Sequence, residues 1–376
     1  MNEDKATRYH RLKRRVSVAS LAWSTILLAG LLLSGGSVAL RTWIGAAGPA
    51  GASPPLDVAL YVLCLFLLNE AGSLPLAFYS GHVLEHRYGL SRETFGHWLT
   101  DQAKALAVGL VMALLAAEAV YATLRLWPAW WWAIAAGIFS LVIIVLANLA
   151  PVLLLPIFYT FEPLDREELR QRLLRLAARA GTRVMGVYTW HLGERTRKAN
   201  AALTGLGRTR RIIVSDTLLA EYSDDEIEVI LAHELAHHVH GDIWKGIAFE
   251  VLLIAGGFRL ADLVLRTLAP AFGLLGPADV AGLPLLLLAA GGVSLLLVPV
   301  ANGLSRRHER QADRYALDLT KNAAAFVSAM RRLGAQNLAE ESPSRLVRTL
   351  FYTHPPIRER IAAAEQFPQP ARSSAH

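Results

Sequence analysis

Long apolar stretches constrain the fold of this chain more than any other feature. A helix of about 20 residues crosses the roughly 30 Å of hydrocarbon in a bilayer. Six stretches approach or exceed that length, at about 18–40, 56–79, 105–126, 131–155, 247–268 and 283–302. The sequence therefore predicts a mainly α, polytopic membrane protein with about six transmembrane helices.

The composition agrees with a membrane protein. Of the 376 residues, 53% are hydrophobic and 18% are charged, whereas soluble domains carry about 25% charged residues. The single Cys64 forms no internal disulfide, so the fold does not depend on an oxidising compartment. These values exclude an ordinary cytosolic enzyme, a disordered chain and a secreted disulfide scaffold.

The distribution of Lys and Arg predicts an orientation in the membrane. Basic residues are concentrated in the N-terminal tail, the loop after the second stretch, the segment after the fourth and the C-terminal tail. Because cytoplasmic loops carry the excess of Lys and Arg, both termini and both polar segments are predicted to lie in the cytoplasm. The net charge of +7 is then explained without a nucleic-acid partner. The Ala-, Leu- and Arg-rich composition favours a bacterial inner membrane.

The predicted spans divide the chain into four parts. They are an N-terminal region of four transmembrane helices at 1–156, a cytoplasmic α+β segment at 157–245, two further transmembrane helices at 246–303, and a cytoplasmic C-terminal region at 304–376.

The α+β segment is predicted from local patterns. Helical periodicity covers 166–180, and three short runs at 184–191, 198–203 and 211–215 are typical of strands. Ser223 followed three residues later by Glu226 is a capping box, which marks the start of a helix that runs through His240.

This last helix carries the sequence His233-Glu234-Leu235-Ala236-His237. Histidines at i and i+4 project from one helix face, one turn apart, and two imidazoles at that spacing can share one Zn²⁺. Glu234 lies between them, where a carboxylate can act on a zinc-activated water without itself being a ligand. The spacing therefore predicts a zinc hydrolase, although three fixed letters alone are a weak signal.

A catalytic zinc needs a third protein ligand and one open position. The extended metzincin motif is excluded, because His240 and Ile243 stand where it requires Gly and His. Glu309 and Asp313, at i and i+4 in a later helical stretch, offer a ligand and an acceptor for the ring N–H of a ligand histidine. Pairing of these carboxylates with nearby Arg residues is the alternative. Asp242 is interpreted either as another such acceptor or as a turn residue.

Six motifs in order make the chain similar to the integral-membrane zinc metallopeptidases of the CAAX prenyl protease 1 type, a gluzincin-like family. They are 85–101 (EHRYGLSRETFGHWLTD), 151–164 (PVLLLPIFYTFEPL), 198–219 (KANAALTGLGRTRRIIVSDTLL), the HELAHH helix, 302–316 (NGLSRRHERQADRYA) and 353–361 (THPPIRERI). The resemblance runs over almost the whole length. Eukaryotic members resemble a seven-helix barrel around a large chamber, whereas six spans are predicted here.

The resemblance implies one Zn²⁺ per chain and a set of site residues that all lie in these motifs. They are the zinc ligands His233, His237 and Glu309, the catalytic residue Glu234, Asp313 beside the ligands, Asn200 against the substrate backbone, and His354 and Arg360 near the active site.

The predicted activity is hydrolysis of peptide bonds, with Glu234 as general base and then general acid and with His354 assisting by a hydrogen bond. An extended peptide would add as a strand beside 198–203. The substrates are either CaaX-type C-termini or damaged or unstructured membrane-associated proteins. The alternatives are a ZIP-like zinc transporter, whose motif the sequence His240-Gly241-Asp242 resembles, and an inactive scaffold.

Overall fold

The computed structural model describes residues 4–47, 53–153, 155–205 and 210–368, most of them in helices. The long helices are α1 (Lys5–Leu33), α3 (Pro54–Phe78), α5 (Phe95–Leu126), α6 (Trp131–Leu153), α11 (Asp242–Leu268) and α12 (Leu283–Thr320). The shorter helices are α2 (Gly36–Ala47), α4 (Leu84–Arg87), α7 (Leu155–Phe158), α8 (Glu167–Arg179), α9 (Asp216–Glu221), α10 (Asp224–Val239), α13 (Ala323–Gln336), α14 (Arg345–Phe351) and α15 (Ile357–Glu365). The strands are β1 (Phe161–Pro163), β2 (Val187–Trp190), β3 (Ala201–Thr204) and β4 (Arg211–Ser215).

The long helices confirm a polytopic helical membrane protein. Four described segments are long and apolar enough to cross a membrane, namely Lys5–Leu33, Pro54–Arg87, Phe95–Leu126 and Val280–Thr320. They overlap the first predicted stretch and contain the second, third and sixth. Helices α6 and α11 correspond to the fourth and fifth, and α11 packs between α6 and α12.

The first helix differs from its predicted bounds. It extends from Lys5 to Leu33 rather than over 18–40, and the break comes at Gly35, which has a φ of 74°. Glycine adopts this left-handed conformation without the steric cost that a Cβ brings. The basic N-terminal tail is therefore helical and continuous with the first span, and α2 is a separate short helix that packs on α1 and α3.

Three charged side chains near the C-terminal end of α11 interrupt its apolar pattern and pair with one another. Asp262, only 4% exposed, accepts hydrogen bonds from Trp131 Nε1 at 2.6 Å and from Arg266 Nε at 2.8 Å. Arg259 Nη1 donates to the same carboxylate at 3.2 Å. Because paired and hydrogen-bonded charges are the ones tolerated at membrane depth, these residues are compatible with α11 as part of the helix bundle.

The α+β segment forms a four-stranded sheet in the order β1-β2-β4-β3. Strands β2 and β4 are parallel, and the two outer pairs are antiparallel. The three predicted strands correspond to β2, β3 and β4. The short β1 was not predicted, because three residues carry no readable alternation. The turn between β3 and β4, at 206–209, lies outside the described residues.

One hydrophobic core holds α10 in place. Leu173 of α8, Ile212 of β4, Leu231 of α10 and Phe326 of α13 are fully buried in it. The predicted capping box starts α10. Ser223 Oγ accepts a hydrogen bond from the Glu226 N–H, and the Glu226 carboxylate accepts one from the Ser223 N–H. Helix α10 also packs along α12 and beside the edge strand β3. The HExxH motif is therefore positioned by the sheet on one side and by a long membrane helix on the other.

Candidate metal centre

Three side chains from two helices meet at one point. His233 and His237 lie on α10 and Glu309 lies on α12, with one donor atom of each within 4.8 Å of the others. His233 Nε2 is 3.2 Å from Glu309 Oε2, and His237 Nε2 is 3.4 Å from Glu309 Oε1. The structure thus brings together the three residues that the sequence predicts as zinc ligands.

The carboxylates behind the two imidazoles determine which ring nitrogen faces Glu309. Asp313 Oδ1 lies 2.9 Å from His233 Nδ1, and Asp242 Oδ2 lies 3.1 Å from His237 Nδ1. When each Nδ1–H donates to its carboxylate, both Nε2 lone pairs point towards Glu309. Glu309 Oε2 is buried and has no hydrogen-bond partner in the described part of the chain. Two nitrogen lone pairs facing an unsatisfied carboxylate oxygen fit a bound cation between them.

The donor set also fits the identity of the metal. Two imidazole nitrogens and one carboxylate oxygen are the protein ligands of many catalytic zinc sites, which keep the fourth position for water or substrate. Burial lowers the pKa of His233, but the carboxylates of Asp313 and Glu309 beside its two ring nitrogens outweigh burial and raise that pKa to about 9. The surroundings of this imidazole therefore stabilise positive charge, as a cation site requires.

Arg360, on α15, holds Asp313 in position. Its Nε and Nη2 donate to the two oxygens of Asp313 at 2.9 and 2.6 Å; Asp313 is buried and Arg360 is partly buried. A guanidinium that forms two parallel hydrogen bonds fixes the plane of the carboxylate. Through Asp313, the C-terminal region therefore fixes the ring of His233.

His354 lies at the open side of the centre. Its Nε2 is 3.3 Å from Glu309 Oε1, and its side chain is 60% exposed. Thr353 Oγ1 lies 2.9 Å from His354 Nδ1. Two residues before His354, the carbonyl of Tyr352 accepts a hydrogen bond from Arg306 Nη1 at 2.5 Å. Arg306 belongs to α12, so the helix that carries Glu309 also holds the segment that carries His354.

Glu234 differs from the other carboxylates of the centre in its surroundings. It forms no side-chain hydrogen bond or ion pair with the described residues, although both imidazoles lie near it. Burial raises the pKa of the Glu234 carboxyl, and the neighbouring imidazoles offset only part of that rise. A carboxylate without a partner and with a raised pKa is suited to accept and return a proton.

Asn200 lies directly before β3, with its side chain exposed. Its N–H donates to Ser215 Oγ at 3.0 Å, and its C=O accepts from the Ser215 N–H at 2.9 Å. Because backbone groups alternate along a strand, Ala201 and Leu203 direct theirs to the free edge of β3. There the Leu203 carbonyl accepts from His238 Nε2 of α10 at 3.0 Å. The free edge of β3 thus lies beside the HExxH helix.

The sequence gives incomplete information on three residues around the centre. It leaves two interpretations open for Asp242, and the structure places this residue against the ring of His237. It gives His238 no role in the site, and the structure places His238 Nε2 3.0 Å from the carbonyl oxygen of Leu203 in β3. It gives no role to Arg306, although the spacing of three residues from Glu309 indicates a nearby helix face.

Two family models cover nearly all of the chain. Residues 163–367 match Peptidase family M48, and residues 2–160 match the family described as CAAX prenyl protease N-terminal, five membrane helices. In the described part of 2–160, the four long helices α1, α3, α5 and α6 are accompanied by the shorter α2, α4 and α7.

Individual proteins agree with this result. The Uncharacterized metalloprotease YhfN of Bacillus subtilis (strain 168) is 31% identical over 96% of this chain and 85% of its own length. CAAX prenyl protease 1 of Saccharomyces cerevisiae is 29% identical over 79% of this chain and 70% of its own length. The crystal structure of S. mikatae Ste24p superposes with a TM-score of 0.86 at 23% identity, over 96% of this chain and 88% of that chain. The chain belongs to peptidase family M48, and it is a zinc metallopeptidase with an integral-membrane fold.

Proposed function

We propose that this chain is an endopeptidase whose zinc is held by His233, His237 and Glu309 and whose general base and acid is Glu234. The observation that carries the proposal is the convergence of both Nε2 atoms on the Glu309 carboxylate, with a further carboxylate behind each ring. Catalytic zinc sites require this combination of ligands and orienting groups.

The chemistry is divided between the metal and the side chains around it. Bound zinc supplies a Lewis acid, which lowers the pKa of water to about 7 and polarises a peptide carbonyl. Glu234 takes the proton of the attacking water and then delivers it to the leaving amine. His354, exposed beside Glu309, donates a hydrogen bond to the carbonyl oxygen as negative charge develops there.

The substrate binds as an added strand along the free edge of β3. The outward N–H and C=O groups of Ala201 and the outward N–H of Leu203 offer the backbone pairing that an extended peptide needs, and the Leu203 carbonyl is already bonded to His238. Asn200 offers an exposed side-chain amide at the start of the same edge. Replacing Asn200 by Ala should then raise KM for an unfolded protein more than it lowers kcat.

Recognition through backbone groups favours unstructured or damaged membrane-associated polypeptides as substrates, because it depends on an extended chain more than on particular side chains. Relatives carry the name CAAX prenyl protease 1, so CaaX-type C-termini are the second candidate. Mass spectrometry of peptides from membranes that hold active or Glu234→Gln enzyme separates the two. Internal peptides from many proteins support the first class, and released C-terminal tripeptides alone would overturn it.

The test of the activity is metal-dependent cleavage of an unfolded protein. The full chain, purified in detergent, should cleave casein, lose that activity when a chelator removes the metal, and regain it with added zinc. Elemental analysis before and after chelation gives the zinc content. Cleavage that continues at full rate in zinc-free enzyme would contradict the proposal.

The active site faces the cytoplasm of a bacterial cell. The basic N-terminal end of α1 contacts the C-terminal region, where His10 Nε2 lies 2.8 Å from the carbonyl oxygen of Leu338. The basic tail and the catalytic unit therefore lie at the same end of the bundle, and the excess of basic residues marks the cytoplasmic side.

Cysteine labelling in intact cells tests this orientation. In a Cys64→Ala background, Leu275→Cys should react with a membrane-impermeant maleimide, because residue 275 is 84% exposed at the opposite end. Glu168→Cys, on the exposed face of α8, should react only after the cells are broken. Labelling of Glu168→Cys in intact cells would show that the catalytic side of the protein faces outward and would contradict the proposed orientation.

The transporter hypothesis lacks structural support. In a ZIP-like transporter the HExxH motif would lie within a membrane-crossing helix, whereas here it lies on the 16-residue α10 beside the sheet. The match to Peptidase family M48 points in the same direction.

A further inference from the structure

The basic N-terminal end of α1 contacts two segments next to the candidate active site, the chain that leads into β3 and the chain that leads to His354. These two segments are here called the walls of the substrate cleft. Four of its side chains, Tyr9, His10, Lys13 and Arg14, are here called the α1 brace. They form two adjacent rows on one helix face, since Tyr9 and Lys13 are four residues apart, as are His10 and Arg14. Each row reaches a different buried carboxylate.

The first row reaches Glu85, on α4. Tyr9 Oη donates to Glu85 Oε1 at 2.5 Å, and Lys13 Nζ donates to the same oxygen at 2.9 Å. The other oxygen, Oε2, lies 2.9 Å from Lys198 Nζ. Both Tyr9 and Glu85 are buried. Loss of the Glu85 charge leaves Lys13 and Lys198 without their counter-charge, and loss of the Tyr9 hydroxyl leaves Glu85 with one hydrogen bond fewer.

Lys198 lies two residues before Asn200, at the entry to β3. Its carbonyl accepts a hydrogen bond from Thr217 Oγ1 at 2.8 Å. The residues just before it pair with the chain that follows α4, where the Arg197 N–H donates to the Leu90 carbonyl at 2.9 Å. The first row of the brace therefore holds the end of β3 at which Asn200 lies.

The second row reaches Glu340, after α13. Arg14 Nη1 lies 2.6 Å from Glu340 Oε2, and the Tyr352 hydroxyl donates to the same buried oxygen. Arg14 Nη1 also lies 3.2 Å from the Tyr352 hydroxyl. Tyr352 is two residues before His354, so this row holds the segment on the other side of the metal centre.

We propose that the α1 brace positions both walls of the substrate cleft, Asn200 through Glu85 and His354 through Glu340. This inference rests on the proposed roles of Asn200 and His354. None of the described contacts of Glu85 or Glu340 reaches a residue of the metal centre, so both act as positioning residues. The first row positions Asn200, which binds substrate, and the second row positions His354, which assists the chemical step. Loss of the first row should therefore change KM, and loss of the second row should change kcat.

The experiment measures kcat, KM and zinc content of the purified full chain with an unfolded substrate. Glu85→Gln should raise KM about tenfold with kcat within about twofold, because strand binding is weakened. Glu340→Gln should lower kcat about tenfold with KM within about twofold, because the group that assists the chemical step is displaced. Zinc content should stay at one per chain in both.

Milder variants and a matched control accompany these two. Tyr9→Phe and Tyr352→Phe each remove only a hydroxyl and should change the same constants in the same direction, by a smaller factor. Arg8→Gln serves as the control, because Arg8 is exposed on the same helix and forms no side-chain contact among the described residues. It should leave both constants and the zinc content unchanged.

The outcomes separate positioning from stability. The variants at Glu85, Glu340, Tyr9 and Tyr352 are together called the brace variants. A parallel fall in kcat and zinc content in all four, at constant KM, means fewer folded molecules and overturns the inference. Unchanged constants overturn it as well. If Asn200→Ala leaves KM unchanged and His354→Ala leaves kcat unchanged, the proposed roles of those residues fail, whatever the brace variants show.

Discussion

Replacing Glu234 by Gln should reduce proteolysis of an unfolded protein by at least about a thousandfold, within the range that general acid–base catalysis contributes. The amide keeps the size of the side chain but cannot accept the proton of water. Since Glu234 is not among the three metal-donor residues, zinc content by elemental analysis should remain at one per chain.

Glu228→Gln is the matched control for this variant. Glu228 lies on the same helix α10, but its partly buried carboxylate pairs with Arg172 and is not among the metal-donor residues. The Glu228→Gln change therefore leaves the metal donors and Glu234 in place, so activity per folded molecule should stay near that of the unmodified chain. Undiminished cleavage by the Glu234→Gln variant would show that another group acts as the base.

Replacing Glu309 by Ala should abolish zinc binding at micromolar metal and, with it, activity. The variant keeps only the two imidazoles of α10, and a catalytic zinc site needs three protein ligands. Replacing Asp313 by Asn should be milder, with zinc affinity or activity lower by about 10–100-fold, because the ring of His233 loses its orientation but the three donors remain.

Competition with a fluorescent zinc chelator measures both affinities. Asp318→Asn is the control on the same helix α12, since its carboxylate pairs only with Lys321 among the described ion pairs. Full zinc occupancy in the Glu309→Ala variant would remove Glu309 from the ligand set. Equal losses in the Glu309 and Asp313 variants would contradict the separate roles assigned to them.

Local sequence signals predicted where most side chains of the metal centre lie on their helices. The capping box at Ser223 fixed the start of α10, and the spacing of His233 and His237 placed both imidazoles on one face. The pair Glu309 and Asp313 was readable for the same reason, because one turn of α12 separates them. Each of these signals depends on neighbours within a few residues, which secondary structure alone brings together.

Other features depend on contacts between distant parts of the chain. No local pattern pairs Arg360 with Asp313, because they approach only when α15 packs against α12. No local pattern predicts the contact of Arg14 with Glu340 either, because these residues are far apart in the sequence. The end of α1 at Leu33 depends on the left-handed conformation of Gly35, within the short Ser34-Gly35-Gly36-Ser37 stretch, and average hydropathy over the apolar run does not register it.

Helix α12 is a single unit of 38 residues that continues through Pro299. Its first half is the last membrane-crossing stretch, and its second half carries Glu309. A fragment limited to residues 157–245 would keep both imidazoles but lose the carboxylate opposite them. Because one helix both crosses the membrane and carries Glu309, we expect any fragment without α12 to lose zinc binding and peptide hydrolysis.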